Sequence, residues 1–456
     1  MAEIKAFIKN FARLIGIDKS IAYSSGARVV QAFTGMASIF FVAQFLTKAE
    51  QGFYYTFGSI IALQIFFELG LSTIITQFVA HEYARLQWAS TTELKGEEKH
   101  HSRLAHLLHF SIKWYTIIGI MFFFVLLVGG VWFFGSYSTS EEEETISWFI
   151  PWILVSIGTA INLFLSPIMA IIMGLDRVKD VMKMSFYQQL IIPFSTWIGL
   201  ILGFHLYVLG IASLLSVIYV VIYGCSTELK PIVHNLWKKT ISERVSYKNE
   251  ILPYQWRIAL SAISGYFIFQ LFNPVLFATH GAVVAGQMGM TLAVLNGINA
   301  FAFSWINTKV PLFSKLIALK NYSELDTIFR RTTAQMIVIT ILLMVIMILG
   351  ILTLKEYYPF LGNRFLNFLP TIFLMIAILI NQYVNGIATY LRCHKKEPFM
   401  IISIVSGILC ASSTIIFGKF YGAFGMCLGY MIITTLLSFW SYSIFIKYKS
   451  KWHQEI

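Results

Sequence analysis

The chain has 456 residues, of which 57% are apolar, 16% aromatic and only 12% charged. So few charges cannot cover a soluble surface, which excludes a soluble domain and points to an integral membrane protein. The net charge of +12 is crowded into connections on one side, so it reads as an insertion signal and an attraction for anionic lipid head groups, and nucleic acid is not an expected partner.

Residues 1–19 place Ile4, Phe7, Ile8, Phe11 and Ile15 on one helical face with Lys5, Lys9 and Arg13 at its flanks, the pattern of an interfacial N-terminal helix. Uncharged apolar runs of at least about 18 residues then predict twelve transmembrane helices, at 20–46, 52–80, 110–134, 147–173, 185–203, 206–224, 257–279, 283–307, 333–354, 366–390, 399–417 and 423–446. The first run is too long for a cleavable signal and lacks a small-residue cleavage site. The longest connection, 227–256, is a basic cytoplasmic linker with six spans on either side. It divides the chain into an N-terminal six-helix bundle at 20–226 and a C-terminal one at 257–446, followed by a cytoplasmic tail at 447–456. Each half opens with a long span, an outer turn containing Gly52 or Gly286, a second span, and then Thr76-Gln77-Phe78 or Thr308-Lys309-Val310. Even-numbered halves in the same orientation are related by an axis along the membrane normal, with the substrate expected between them. With both termini cytoplasmic, 29 of the 34 basic residues fall inside. Lys48, Lys355, Arg364 and Lys419 fall outside, and Arg28 lies within a span.

Arg28 and Glu68 are the two formal charges inside the spans. They lie eighteen and sixteen residues below the outer ends of consecutive helices, so at about 1.5 Å per residue their depths differ by only ~3 Å. Either the two form a static bridge or they exchange partners during a cycle, Glu68 then carrying a coupling proton. Neutral polar residues in the spans, among them Asn162, Asn273, Asn299, Asn381 and Asn385, need helix, water or ligand partners and together suit hydroxyl-rich ligands. Pro167, Pro193 and Pro274 are candidate kinks. Glu141 to Glu144 are expected to cap the fourth span, and the histidines at 100, 101, 106 and 109 to lie on a solvated helix. Free thiols are expected at Cys225, Cys393, Cys410 and Cys427, with no metal site, no cofactor and no phosphate loop of an ATPase. The outer connections are too short for a membrane enzyme that builds glycans.

Phe66-Phe67-Glu68-Leu69-Gly70-Leu71 resembles the aromatic–acidic–Leu-Gly stretch of Wzx-type polysaccharide flippases in the MOP superfamily. Gly26-Ala27-Arg28, Gly174-Leu175-Asp176-Arg177, Thr308-Lys309-Val310-Pro311 and Asn385-Gly386 leading to Arg392 agree with it. The resemblance implies an all-α integral membrane fold of two six-helix bundles in a bacterial inner membrane. It implies transport, without enzymatic activity, of an undecaprenyl-pyrophosphate-linked oligosaccharide, an O-antigen or other surface polysaccharide unit, to the outer leaflet by alternating access. Arg28 matches the cationic position of the first helix, and Arg257, Lys309 and Arg392 stand near the inner mouth. Polysaccharide polymerase and chain-length machinery are the further partners it implies. A MATE-like multidrug exporter fits the same scaffold, and a glycan polymerase or ligase is a remote alternative.

Overall fold

The computed structural model describes residues 34–138, 141–394, 396 and 398–454; the side chains of Glu141, Glu142, Tyr254, Arg257 and Gln454 lie outside that description. The interfacial helix at 1–19 and Arg28, with its pairing to Glu68, therefore fall outside the described residues.

The described chain is almost entirely helical. Seven helices are long and apolar enough to cross a membrane, or eight if one bent pair counts as a single span. Two of the seven are runs of 61 and 54 residues. At about 1.5 Å per residue these exceed a ~30 Å hydrocarbon core severalfold, so each must contain more than one span. Each is interrupted at a glycine, and the longer one also at Gln270–Leu271 and Thr308–Lys309. Gly281 (φ 84°) breaks Phe272–Asn307, and Gly422 (φ 59°) breaks Met400–Gln454. At Gly422 the chain folds back on itself: a Cβ on Gly429 would meet Ser413 and one on Gly425 would meet Phe417, pairs of residues placed almost symmetrically about the break. Only glycine adopts such backbone without strain. Helices overlie each expected window from the second to the twelfth, and Thr34–Phe45 overlies the end of the first.

Several local expectations are corrected. The second window is not one helix but Lys48–Ile61, Gln64–Glu68 and Leu71–Tyr83, broken by left-handed Leu69 (φ 49°) and Gly70 (φ 70°). Gly52 does not make the outer turn. Thr47 ends the turn instead: its Oγ1 accepts from the Glu50 amide at 3.1 Å while Glu50 Oε2 accepts from the Thr47 amide at 2.8 Å, a reciprocal cap. Gly286 likewise lies inside a helix, after the break at Gly281. Pro167 and Pro193 sit inside the helices Phe149–Gly174 and Val178–Ile201. Pro274 lies in the first turn of its helix, where its missing amide frees no carbonyl. The third window begins early, in the single helix Glu98–Tyr137, preceded by an antiparallel hairpin of Leu86–Trp88 and Leu94–Gly96.

On Glu98–Tyr137 the exposed residues Ile117, Ile120, Met121, Phe124, Val125 and Val128 recur every three or four positions. An apolar stripe facing outward is the reverse of a soluble helix, and lipid is the solvent that suits it. The protein is a multi-pass membrane protein.

Two compact units are present. One gathers Gln64–Val131 and Ser147–Ile258 with the described residues up to Ser38; the other gathers Ile39–Leu63, Trp132–Ile146 and Ala259–Ile456. In the second, Phe53, Phe57, Phe134 and Phe277 pack together with centroids 4.9–6.3 Å apart, edge to face except for the tilted pair Phe53–Phe134.

Candidate functional site

Within the second unit, the helix Phe368–Arg392 places Asn381, Asn385 and Arg392 at i, i+4 and i+11, one face of the helix. All three line one cavity of about 190 Å³, shared with residues of Met400–Gln454 and Leu252–Phe269. Its opposite walls are rich in hydroxyls. Ser403, Thr434, Ser438 and Ser441 each donate their proton to a backbone carbonyl three or four residues earlier, at 2.7–3.1 Å. With the protons committed to the helices, the remaining lone pairs make these oxygens acceptors. Asn381 Nδ2 donates to the buried Tyr430 hydroxyl at 2.8 Å, which fixes the amide. The cavity thus offers acceptor oxygens, amides of both polarities and one guanidinium.

The other expected site residues lie elsewhere. Asn162 Oδ1 accepts from Gln188 Nε2 at 3.3 Å, and the same amide donates to Ser216 Oγ at 2.8 Å, so this trio ties helices together in the first unit. Asn273 Nδ2 donates to Ser59 Oγ at 3.1 Å. The Oδ1 atoms of Asn273 and Asn299 are buried and make no hydrogen bond among the described residues. Lys309 is exposed at the start of Val310–Ala318, and Arg257 lies on the helix Leu252–Phe269. Glu68 ends its short helix at the Leu69–Gly70 break, half-buried and within electrostatic reach of Tyr115, whose hydroxyl is 3.0 Å from Ser72 Oγ. Of the four cysteines, Cys410 and Cys427 are buried, whereas Cys225 is exposed.

Three groups of residues were not foreseen from sequence. In the second unit, the helix Lys48–Ile61 crosses the one after Gly281 in direct backbone contact: a Cβ on Gly52 would lie 2.0 Å from the Ala282 carbonyl oxygen, and one on Gly286 would lie 2.8 Å from the Gly52 nitrogen. Gln51 locks the crossing. Its Nε2 donates to the carbonyls of Gly286 at 2.8 Å and Arg364 at 3.1 Å, and its Oε1 accepts from Arg364 Nη1 at 3.3 Å. Arg364 is only 2% exposed, its guanidinium 4.8 Å from the Phe360 ring. Burial lowers its pKa, with Glu50 pulling the other way.

Glu143 is the second correction. It does not cap the fourth span; its buried Oε1 accepts from the Ala282 amide at 2.6 Å, capping the helix that restarts after Gly281. The acceptor is placed by tertiary packing, so the nearest downstream helix was the wrong one to assign it to.

In the first unit the histidine stretch is not simply solvated. Arg103 joins two carboxylates, Nε to Glu82 at 2.7 Å and Nη2 to Glu250 at 2.6 Å, while His100 Nδ1 lies 2.6 Å from Glu82. Ser102 Oγ accepts from the amides of Ser242 and Glu243, both at 2.7 Å, so the long connection is bolted to the helix Glu98–Tyr137. Burial of Arg103 opposes its charge, but the bonds to Glu250 and Glu82 outweigh it and hold its pKa above the ordinary value. Burial likewise works against charge on Glu250, yet the Ser246 amide and Arg103 hold its carboxyl below the usual range.

No family model and no curated protein matches the sequence. Solved structures do. A MATE-family multidrug resistance transporter of the MOP superfamily, in an inward-facing conformation, is 15% identical with a TM-score of 0.63 and covers 95% of this chain and 99% of that one. The lipid II flippase MurJ, in an inward closed conformation, is 13% identical with a TM-score of 0.58, over 93% of this chain and 87% of that one. The MATE multidrug transporter DinF-BH is 13% identical with a TM-score of 0.55, over 94% and 95%. The chain therefore has the all-helical membrane fold of MOP-superfamily transporters.

Proposed function

We propose that the protein is a flippase that moves an undecaprenyl-pyrophosphate-linked oligosaccharide, an O-antigen or other surface polysaccharide unit, from the cytoplasmic to the outer leaflet of a bacterial inner membrane. Two six-helix bundles, 20–226 and 257–446, alternate access to the two faces, with both termini cytoplasmic. The lipid tail stays in the bilayer, and the pyrophosphate meets cations: Arg28 in the first helix, with Arg257, Lys309 and Arg392 toward the inner mouth. The polysaccharide polymerase and chain-length machinery receive the product.

The observation that carries this reading is the cavity at Asn381, Asn385 and Arg392. Acceptor oxygens and amides match sugar hydroxyls, which donate and accept, and the guanidinium matches a phosphate. The likeness to a lipid II flippase over 93% of the chain supports a lipid-linked cargo.

Removing both amides, Asn381→Ala with Asn385→Ala, is expected to lower transport of the lipid-linked oligosaccharide roughly tenfold, since two neutral hydrogen bonds worth ~0.7 kcal/mol each sum to the ~1.4 kcal/mol of a tenfold change. Surface glycan in a flippase-deficient strain reads this, with membrane protein levels measured in parallel. Normal glycan at normal levels would remove the cavity from the substrate path.

Glu68, at the Leu69–Gly70 break, is the proposed coupling acid. Glu68→Gln keeps the shape and removes the titration, so transport in proteoliposomes should become insensitive to an imposed pH gradient. A response equal to that of the unmodified protein would assign Glu68 a structural role only.

A further inference from the structure

The first unit holds a second polar cavity, of about 350 Å³, that transport as proposed does not use. Its walls are the hairpin Leu86–Trp88 and Leu94–Gly96, the first turn of Glu98–Tyr137, and the end of the helix Leu229–Trp237. These elements are fastened to one another. Asn235 Nδ2 donates to the Thr92 carbonyl at 3.1 Å, and the buried Ile232 and Leu236 turn the helix's apolar side inward. A wall so anchored is a built site and not a loose surface fold.

Its charge is one-sided. Lys238 and Lys239 both line it and form no ion pair among the described residues, while Glu93 is the one carboxylate on the wall and is exposed. His101 lines the same cavity, 7% exposed, its Nδ1 buried without a hydrogen bond among the described residues. A buried ring nitrogen left unpaired asks for a partner, and two unneutralised ammonium groups beside it specify the sign of that partner. Burial and the neighbouring Lys239 hold the imidazole's pKa below its ordinary value, with Glu98 pulling it up and His100 pushing it down.

We propose that this cavity binds a phosphate group, gripped by the ammonium groups of Lys238 and Lys239, with the buried His101 ring turning to bring its Nδ1–H to the anion. The phosphate belongs either to an anionic phospholipid of the adjacent leaflet or to a soluble phosphate compound; the recognition chemistry is the same. The site stands apart from the flippase reading and does not rest on it.

The test uses the full-length protein, purified in detergent and stripped of lipid, in two arms. Phosphatidylglycerol adducts are counted by native mass spectrometry against phosphatidylcholine, and inorganic pyrophosphate is titrated by calorimetry. At least one probe should bind, with Lys238→Gln plus Lys239→Gln weakening it at least tenfold and His101→Gln severalfold, as expected for lost charge-assisted bonds. Loss confined to the phosphatidylglycerol arm assigns a lipid head group, and loss in the pyrophosphate arm assigns a soluble compound. The two lysines are exposed, so their variants should keep the thermal midpoint and remain decisive if His101→Gln fails to fold. No binding of either probe, or equal binding by wild type and the lysine variant, would overturn the site.

Discussion

Gly52→Ala should be among the most damaging single-methyl changes in this protein. The added carbon would sit 2.0 Å from the Ala282 carbonyl oxygen and 2.5 Å from its carbon, and both obstacles are backbone, so no side chain can swing away. Forced overpacking of this kind costs roughly 1–3 kcal/mol or more. The same helix carries its own control. At Gly58 nothing lies within 4 Å of the position an added methyl would take, so Gly58→Ala should be neutral or stabilising by up to ~1 kcal/mol through helix propensity alone. Thermal unfolding of the two variants in detergent should therefore move in opposite directions. If both lower the midpoint equally, direct backbone contact at this crossing is not what Gly52 provides.

The second large effect is expected at Arg103. Arg103→Gln leaves Glu82, only 9% exposed at its side chain, beside His100 but without its guanidinium, and breaking one partner of such a buried pair costs about 3 kcal/mol. Glu82→Gln combined with Arg103→Gln should recover part of that loss, because it is the orphaned charge that is expensive. The pH dependence follows from Glu250. Its folded-state pKa is lowered from 4.5, so its contribution is present above that value and is lost as pH falls through the lowered one. Unfolding midpoints measured from neutral to acid pH should fall in this window for the wild type and fall less for Arg103→Gln. Equal slopes would mean that Arg103 does not hold Glu250.

Hydropathy is a local property, and the positions of the helices were accordingly legible: each window from the second to the twelfth carries a helix. The periodicity that puts Asn381, Asn385 and Arg392 on one face was equally local. What the sequence could not display were partners distant along the chain. Gly52 reads as a turn residue because turns are the commonest reason for glycine, whereas here it makes room for Ala282, some 230 positions away. Glu143 lies close before one helix and caps another, and Arg364, in what reads as an outer loop, is buried against Gln51. The acceptor character of the cavity was hidden for a related reason, since Ser403, Thr434 and Ser441 become acceptors only once their protons are spent on their own helices. His100 and His101 look solvated in a basic segment, and it takes the fold to bring Glu82 to the first and to bury the second.

Reconstitution distinguishes an oligosaccharide cargo from a drug cargo. Purified protein in proteoliposomes is given a lipid-linked oligosaccharide labelled in its sugar, and arrival of the label at the opposite leaflet is followed beside the movement of a lipophilic cationic dye. The oligosaccharide should cross, Asn381→Ala with Asn385→Ala should slow it roughly tenfold, and the dye should not be moved. Transport of the dye with the oligosaccharide left in its original leaflet would contradict this and make the protein an exporter on the same fold.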